Sequence, residues 1–200
     1  APTDSLLSIQ VHESVLNNVV SSLELNQGET DLPSLFRNIA ERFRRHNYQV
    51  PEDVPTDVRL RMAEQDPIHL SCSEDRIHVT LRIARLEGGD HNVFRNFEVR
   101  ASYQPDIQGL HVRLVRDGYV RIKGLRSIGD QVALRGVFSK VLAQHPQFDL
   151  LGNVLVRDTR LHDLRVTQCV VRDGWIGVSI GPGRPVKDRV ADLTSEAPRQ

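Results

Sequence analysis

The sequence predicts an α+β fold in which a long, curved antiparallel β-sheet is wrapped against two or three helices. Apolar residues recur with helical spacing in two segments of the first 45 residues, and from residue 58 the period changes to two. Short turns containing Gly and Asp separate the alternating runs, as in antiparallel hairpins. The length of 200 residues suits one domain. We expect it to span residues 1–180, with the polar residues 181–200 as a flexible tail.

The chain is predicted to open with a short strand, Leu6 to Val11, and an amphipathic helix from about Glu13 to Leu25. The apolar residues of this helix recur at i, i+1, i+4, i+5 and i+8, which places them in one stripe. They are Val15, Leu16, Val19, Val20 and Leu23. Gly28 is expected to end the segment, because glycine readily forms the left-handed cap of a helix.

Asp31 as N-cap and Pro33 in the first turn predict a second helix. It should end near Arg45, where basic side chains suit the negative end of the helix dipole. Its buried face is predicted to consist of Leu32, Leu35, Phe36, Ile39, Ala40 and Phe43.

Strict alternation of apolar and polar residues then predicts strands with one buried and one wet face. Their apolar members are Val58, Leu60, Met62, Ile68, Leu70, Cys72, Ile77, Val79, Leu81, Ile83, Phe97, Val99, Ala101 and Tyr103. Residues 73–76 read as a tight turn. That turn would set His78 opposite Ser71 and His69 opposite Thr80, so that the two histidines are diagonal neighbours on the polar face.

The strongest turn signal is Asp117-Gly118, which lies between alternating runs and predicts a hairpin at this point. A third helix is expected from about Asp130 to Gln144, before Pro146. Its core-facing residues would be Leu134, Val137, Phe138, Val141 and Leu142. A last hairpin is predicted from strands at 166–171 and 175–180 joined by Asp173-Gly174.

The two Asp-Gly segments resemble each other, since residues 114–120 and 170–176 share the order strand, Asp-Gly, aromatic residue, strand. Either two hairpins use the same favourable turn or a unit has been duplicated. Tyr119 and Trp175 occupy the same place after the turn. They either pack at the rim of the core or stack on a ligand.

Composition restricts the function classes. Basic and acidic residues balance at 26 each, so the chain lacks the electrostatic footprint of a general nucleic-acid binder. Arg42, Arg44 and Arg45 form a local basic cluster that we interpret as the solvated face of a helix. No run approaches the roughly 18 apolar residues of a membrane helix. Cys72 and Cys169 are either free thiols or one long-range disulfide.

No catalytic motif is present in the sequence, and we expect neither an enzyme nor a cofactor. His69 and His78 would need a third ligand to hold a metal, and no spacing supplies one. The carboxylate pairs Glu64/Asp66 and Asp158/Asp163 suit turns and loops better than acid–base chemistry. No catalytic and no metal-ligating residue is therefore predicted.

The opening segment, residues 8–20, resembles the start of tubular lipid-binding (BPI-like) domains, in which a strand runs into a helix carrying a Leu-Asn or Ile-Asn step. Leu16-Asn17 matches that step. The late helix and residues 170–176 resemble the end of such domains, so the order of elements agrees over residues 5–180. The chain also resembles an uncharacterised bacterial family of exported proteins, which favours an exported or periplasmic location.

The resemblance implies an apolar groove between the opening helix and the sheet, with a lipid or another apolar small molecule as ligand. The residues assigned to that groove are Val15, Leu16, Val19, Val20, Tyr119 and Trp175. The second helix, residues 32–45, exceeds the family pattern and could plug the groove. The alternative is a structural or protein-interaction module of a larger exported or envelope protein, with an unknown protein partner. An enzyme is the least favoured reading.

Overall fold

The computed structural model describes residues 5–26, 28–42, 54–88, 92–142 and 163–182. In these residues alternation and helical spacing produce nine strands and three helices. In chain order they are β1 (Leu7–His12), α1 (Glu13–Ser21), β2 (Thr30–Asp31), α2 (Leu32–Arg42), β3 (Arg59–Met62), β4 (Ile68–Ser73), β5 (Arg76–Glu87), β6 (Val93–Gln108), β7 (His111–Lys123), α3 (Ile128–Val141), β8 (Leu164–Arg172) and β9 (Trp175–Pro182).

The strands form two antiparallel sheets, which confirms the α+β fold class with antiparallel pairing. The larger sheet has the order β2-β3-β5-β6-β7, with β4 also paired to β5, and the smaller has the order β1-β9-β8. Strand β5 is long enough to pair with β4 along its first half and with β3 along its second. Register shifts in β3 and between β6 and β7 add local twist and bend the sheet.

The predicted hairpin at Asp117-Gly118 is wrong. Strand β7 runs without interruption through these residues, and the turn between β6 and β7 lies at Gly109-Leu110. Gly109 has a φ of 63°, which a two-residue hairpin turn demands of its first residue. Because the sixteen residues of β6 provide a partner along all of β7, Asp117-Gly118 forms a β-bulge instead.

The bulge also removes the argument for a duplicated unit. Between the pairs Arg100↔Arg121 and Ser102↔Asp117, β6 advances by two residues and β7 by four. The similar segment at 170–176 is a true two-residue hairpin, in which Asp173 and Gly174 have φ values of 52° and 82°. The same dipeptide therefore serves as a bulge in one place and as a turn in the other.

The remaining turn assignments are confirmed. Glu74 and Asp75 occupy the two-residue turn between β4 and β5, and His69 pairs with Thr80 while Ser71 pairs with His78. Strand β9 ends at Pro182, so the first two residues of the predicted tail, 181–200, belong to this strand, and the rest of the tail lies outside the described residues. The predicted boundary of the domain therefore stays a prediction.

The helices follow the predicted faces with shifted ends. Helix α1 ends at Ser21, so Gly28, although its φ is 94°, lies in the following loop and does not cap the helix. Helix α3 begins after Ser127, whose side-chain oxygen accepts a hydrogen bond from the Asp130 backbone N–H. The core residues of α3 are confirmed as buried, with Val137 partly buried.

Helix α2 starts as predicted. The Asp31 carboxylate accepts hydrogen bonds from the Ser34 backbone N–H at 2.7 Å and from the Ser34 hydroxyl at 2.9 Å. Leu32 and Leu35 are fully buried, and Phe36 and Ile39 pack beside them. The predicted members Ala40 and Phe43, and the predicted end near Arg45, lie outside the part of the chain whose side chains are described.

Two hydrophobic clusters hold the elements together. The larger lies between the helices and the larger sheet and contains Phe138, which packs edge-on against Phe97. The smaller joins the core face of the β1-β9-β8 sheet to Cys72, Ile77 and Val112. Helix α1 contributes to both, since Val20 belongs to the larger cluster and Leu16 packs against the smaller.

The capping of α2 generates a pH prediction. The hydrogen bond from the Ser34 backbone holds the pKa of Asp31 below its ordinary value of 3.8. A carboxyl whose pKa is lowered on folding stabilises the protein above that ordinary value, and this stability is lost as the pH falls through the lowered pKa. Asp31→Asn keeps the cap but cannot titrate. Between about pH 5 and about pH 2 the free energy of unfolding should therefore fall further in the native protein than in the variant.

Urea unfolding at several pH values measures the difference. Asp31→Ala, which removes the cap, should cost about 1 kcal/mol at neutral pH. Identical pH profiles for the native protein and Asp31→Asn would contradict this role of the carboxylate.

Candidate functional site

Helix α1 is attached to the outer edge of β4 by Asn17, whose side chain forms the two hydrogen bonds that a neighbouring strand would otherwise form. The Asn17 side-chain amide donates to the Leu70 carbonyl at 2.8 Å, and its oxygen accepts from the Leu70 backbone N–H at 2.8 Å. Strand β4 pairs with β5 on its other side, so both outward groups of Leu70 are satisfied by one side chain.

Two residues farther along β4, the outward groups of Cys72 are satisfied as well. The Glu13 carboxylate accepts from the Cys72 backbone N–H at 2.7 Å, and the Cys72 carbonyl accepts from the Gly174 N–H at 2.9 Å. The Glu13 backbone N–H in turn donates to the Gly174 carbonyl at 2.8 Å. The start of α1, the edge of β4 and the turn between β8 and β9 are thus joined at one point.

We call the contact of Glu13 and Asn17 with Leu70 and Cys72 the α1–β4 seam. Its geometry follows from the two repeats, because four residues of helix rise about 6 Å and two residues of strand rise about 6.7 Å. Glycine is favoured at position 174, since its φ is 82° and a Cβ atom there would lie 2.9 Å from His12 Nε2, which would have to shift.

The seam determines where the predicted site residues lie. Val20 is buried in the larger cluster and Leu16 is partly buried against the smaller one. Val15 and Val19 lie on the opposite, outer side of α1, where they are 52% and 43% exposed. The predicted stripe is therefore divided between the core and the surface, because the polar residues Glu13 and Asn17 take part of the buried side.

The two aromatic residues of the predicted site contact different neighbours. Trp175 on β9 is 48% exposed and meets the His12 ring edge-on at a centroid distance of 4.8 Å. Tyr119 on β7 is 61% exposed, and the guanidinium groups of Arg121 and Arg135 both contact its ring. These contacts place the rings on different sheets, and whether either ring binds a ligand stays a prediction.

An apolar strand edge lies at β1, on the face of the smaller sheet opposite to Trp175. Leu7 and Ile9 of β1 pair with Ile180 and Val178 of β9, and paired residues point to the same face of a sheet. Ile180 and Val178 are buried, yet Leu7 and Ile9 are 47% and 38% exposed. The core face of the smaller sheet therefore continues past the core and ends uncovered at β1.

The backbone of β1 has an unpaired side among the described residues, because β1 pairs only with β9. The bond from the Glu13 N–H to Gly174 fixes the alternation of the ladder, so Leu7 and Ile9 bond to β9. The N–H and C=O groups of Ser8 and Gln10 then point away from it. We call Leu6, Leu7 and Ile9, with the outward backbone groups of Ser8 and Gln10, the β1 edge.

The described residues form two clefts, and both are lined by residues other than those of the predicted ligand site. A cleft of about 560 Å³ lies over β3, β5 and β6, and its charged lining residues are Arg61, Glu64, Arg82 and Glu98. A smaller one of about 220 Å³ lies beside Cys169, Gln104 and Pro105. None of the six predicted ligand residues lines either cleft, and the larger cleft is too open and charged to resemble a lipid groove.

The acid–base and metal candidates do not converge within the described ranges. The hydrogen bond from Arg100 holds the pKa of Glu98 low, so this carboxylate of the larger cleft is a poor proton donor at neutral pH. His78 contacts the Ser102 hydroxyl at 2.9 Å. Among described residues no three His, Cys, Asp or Glu side chains are placed to hold a metal ion. Asp158 lies outside these ranges, and Asp163 is exposed.

The structure resolves the alternative for the cysteines, since Cys72 and Cys169 are both free thiols. Burial raises the pKa of each to about 11, and the charge of Glu13 adds to the effect at Cys72. Both thiols are therefore protonated at neutral pH and are weak nucleophiles.

Sequence reasoning missed Glu13 and Asn17 as structural residues and β1 as an open edge. The available signal was a pair of polar residues, four positions apart, on the buried side of an amphipathic helix. The Leu16-Asn17 step was noted for its resemblance to a family, whereas its physical role is the hydrogen bonding of Asn17 to β4.

Comparison with known proteins gives no family for the chain. No protein-family model matches it, and no curated protein is significantly similar. The resemblance to tubular lipid-binding domains therefore stays a hypothesis. Among the described helices, none has the length and apolar character required to cross a bilayer.

The seam generates a stability prediction with a matched control. Asn17→Ala leaves the N–H and C=O of Leu70 without partners in a partly buried position, which should cost about 2 kcal/mol. Asn18→Ala, one residue away on the exposed side of α1, should change stability by less than about 0.5 kcal/mol. Urea unfolding followed by circular dichroism compares the two variants. Equal losses would show that the Asn17 hydrogen bonds do not hold α1 to β4.

Proposed function

We propose that the chain is a non-enzymatic protein-interaction module that binds an extended segment of a partner along the β1 edge. The observation that carries the proposal is the incomplete core face at β1, where Leu7 and Ile9 continue the buried row of β9 and remain exposed. A further strand placed beside β1 would cover both side chains, accept hydrogen bonds from the outward N–H groups of Ser8 and Gln10, and donate to their C=O groups.

The composition of the edge supports strand addition. Natural edge strands are commonly protected by charged residues, proline or a charge pointing inwards. Residues 6–11, Leu-Leu-Ser-Ile-Gln-Val, contain no charged residue and no proline. A strand that lacks these protections is suited to pairing, and its neutrality gives no preference for a basic or an acidic partner.

The same features define the chemistry of the partner. Its segment would be extended, with apolar residues at alternate positions on the side of Leu7 and Ile9 and polar residues on the side of Ser8 and Gln10. Trp175 lies on the neighbouring strand, and Val15 and Val19 lie on the helix that follows β1. Trp175 pairs with His12 and therefore points to the face of Ser8 and Gln10, opposite to the face of Leu7 and Ile9.

The proposal predicts that a peptide of alternating valine and threonine, labelled with fluorescein, binds the protein as measured by fluorescence anisotropy. Ile9→Lys puts a charge on the apolar face of the edge, and Gln10→Pro removes an outward N–H that β9 does not use. Each should weaken binding about tenfold or more. Asn18→Lys, on the exposed side of α1, should leave it unchanged.

Two controls sharpen this experiment. The same peptide with alternate N-methylated residues cannot complete the ladder and should not bind. Light scattering of the free protein reports whether a second copy already occupies the edge. A monomer that does not bind the unmethylated peptide, or that binds both peptides equally, would contradict strand addition.

Apolar-ligand binding remains the second candidate because four of the six residues assigned to the groove are apolar or aromatic and 43–61% exposed, namely Val15, Val19, Tyr119 and Trp175. Native mass spectrometry of the purified protein, followed by organic extraction, tests it. A co-purifying lipid would support this candidate. Trp175 is the only tryptophan, so a blue shift of its fluorescence on adding a fatty acid would show binding at that residue.

A further inference from the structure

Positive charge is concentrated in one part of a chain that is neutral as a whole. Residues 111–142, which form β7, the following loop and α3, contain seven basic and two acidic residues, an excess of five positive charges. The basic residues are Arg113, Arg116, Arg121, Lys123, Arg126, Arg135 and Lys140, and the acidic residues are Asp117 and Asp130. Such an excess on neighbouring elements attracts anions.

Asp117, which lies in the bulge of β7, does not neutralise this excess of positive charge. Asp117 binds Arg76 of β5, with its carboxylate 2.6 Å from the Arg76 Nε atom. Arg116 points to the end of α3, where it donates to the carbonyls of Ser139 and Leu142. The carbonyl end of a helix is a favourable place for a cation, so Arg116 has a structural role.

Among the residues that the structure describes, Arg121 and Arg135 have no such partner. The Cζ atom of Arg121 lies 5.5 Å from the centre of the Tyr119 ring, and that of Arg135 lies 5.2 Å from it. No carboxylate within the described ranges forms an ion pair with either of them. We call Tyr119, Arg121 and Arg135 the Arg–Tyr clamp.

Four other arginines of the larger sheet are neutralised by a carboxylate. Arg76, Arg82, Arg85 and Arg100 each form an ion pair with a carboxylate. Arg121 instead lies opposite Arg100 in the sheet, and like charges opposite each other are unfavourable. An anion bound beside Arg121 would reduce this repulsion between the two facing guanidinium groups.

The bulge in β7 determines where the residues of the Arg–Tyr clamp lie on the surface. Gly118, with a φ of 77°, and the two additional residues of β7 set Tyr119 at the edge of the sheet beside α3. Val120 and Ile122 remain buried, so the strand stays anchored while Tyr119 and Arg121 are exposed. Asp117-Gly118 therefore forms a bulge directly beside the exposed Tyr119, and bulges are common next to functional sites.

We propose that the Arg–Tyr clamp binds a phosphate group. A guanidinium that contacts an aromatic face keeps the N–H groups at its edge available for hydrogen bonds. Two guanidinium groups together present more donors than one carboxylate can accept, whereas a phosphate monoester offers three oxygens with nearly two negative charges. The Tyr119 hydroxyl supplies a further donor.

Calorimetric titration with glycerol 3-phosphate, in a buffer without phosphate, tests the site. The native protein should bind saturably, and Arg121→Gln and Arg135→Gln should each weaken binding about tenfold or more. Arg113→Gln makes the same change of charge at an exposed position of the same strand and should have an effect of less than about twofold. An equal loss in Arg113→Gln would overturn the proposal, and so would the absence of saturable binding to both glycerol 3-phosphate and vesicles that contain phosphatidic acid.

Variants of Tyr119 distinguish specific binding at the clamp from a general attraction of anions to positive charge. Tyr119→Phe keeps the ring that supports both guanidinium groups and should retain most of the affinity. Tyr119→Leu removes that ring and should reduce the affinity as strongly as Arg121→Gln does. Equal affinities of the Phe and Leu variants would contradict the geometry of the clamp.

The phosphate could belong to a soluble molecule or to a lipid headgroup, and sedimentation with vesicles distinguishes the two sources. Binding to phosphatidylcholine vesicles containing phosphatidic acid, lost in Arg121→Gln, would support the clamp and assign a headgroup. Binding to glycerol 3-phosphate alone would support it and assign a soluble phosphomonoester. Binding to neither probe would overturn the proposal. Ile9→Lys leaves the clamp intact, so the test is independent of the β1 edge.

Discussion

The structure depends on the way in which helix α1 satisfies the outer edge of β4. Four backbone groups, the N–H and C=O of Leu70 and Cys72, point away from β5, and each meets a partner from Asn17, Glu13 or Gly174. A buried strand edge without such partners would lose the full value of its hydrogen bonds. Side chains here replace a missing strand, and they do so with residues that a helix can place at matching intervals.

The seam has consequences at both ends of the molecule. It fixes the start of α1 beside the last hairpin turn, which brings the beginning and the end of the described chain together as neighbouring strands β1 and β9. It also directs Val20 and Leu16 into two separate clusters, so that one helix links the larger sheet to the smaller. Among the described residues, β1 keeps an open edge in the smaller sheet, whereas the edge of β4 in the larger sheet is closed.

Periodicity predicted the elements well because it reflects burial directly. The strands from β3 to β6, the cap of α2, the core face of α3 and the last hairpin all appear where alternation or helical spacing placed them. The error at Asp117-Gly118 has a physical cause. An Asp-Gly pair favours positive φ in bulges as well as in turns, and only the length of the partner strand β6 decides between them.

The candidate sites were less predictable because they depend on pairing between distant segments. The exposure of Leu7 and Ile9 follows from the position of β1 at the edge of a sheet, which no local pattern reveals. The contact of Tyr119 with Arg135 needs α3 to lie beside the bulge of β7. Sequence reasoning selected Val15, Val19, Tyr119 and Trp175, which the structure leaves exposed, but it assigned them to one groove.

Amide hydrogen exchange followed residue by residue by NMR tests the central claim most directly, namely that the edge of β4 is closed and the edge of β1 is open. In the free protein the amides of Leu70 and Cys72 should exchange slowly, because Asn17 and Glu13 accept their hydrogen bonds. The amides of Ser8 and Gln10 should exchange fast, whereas those of Leu7 and Ile9 in the same strand should be protected. Fast exchange at Leu70 and Cys72, or slow exchange at Ser8 and Gln10, would contradict the account.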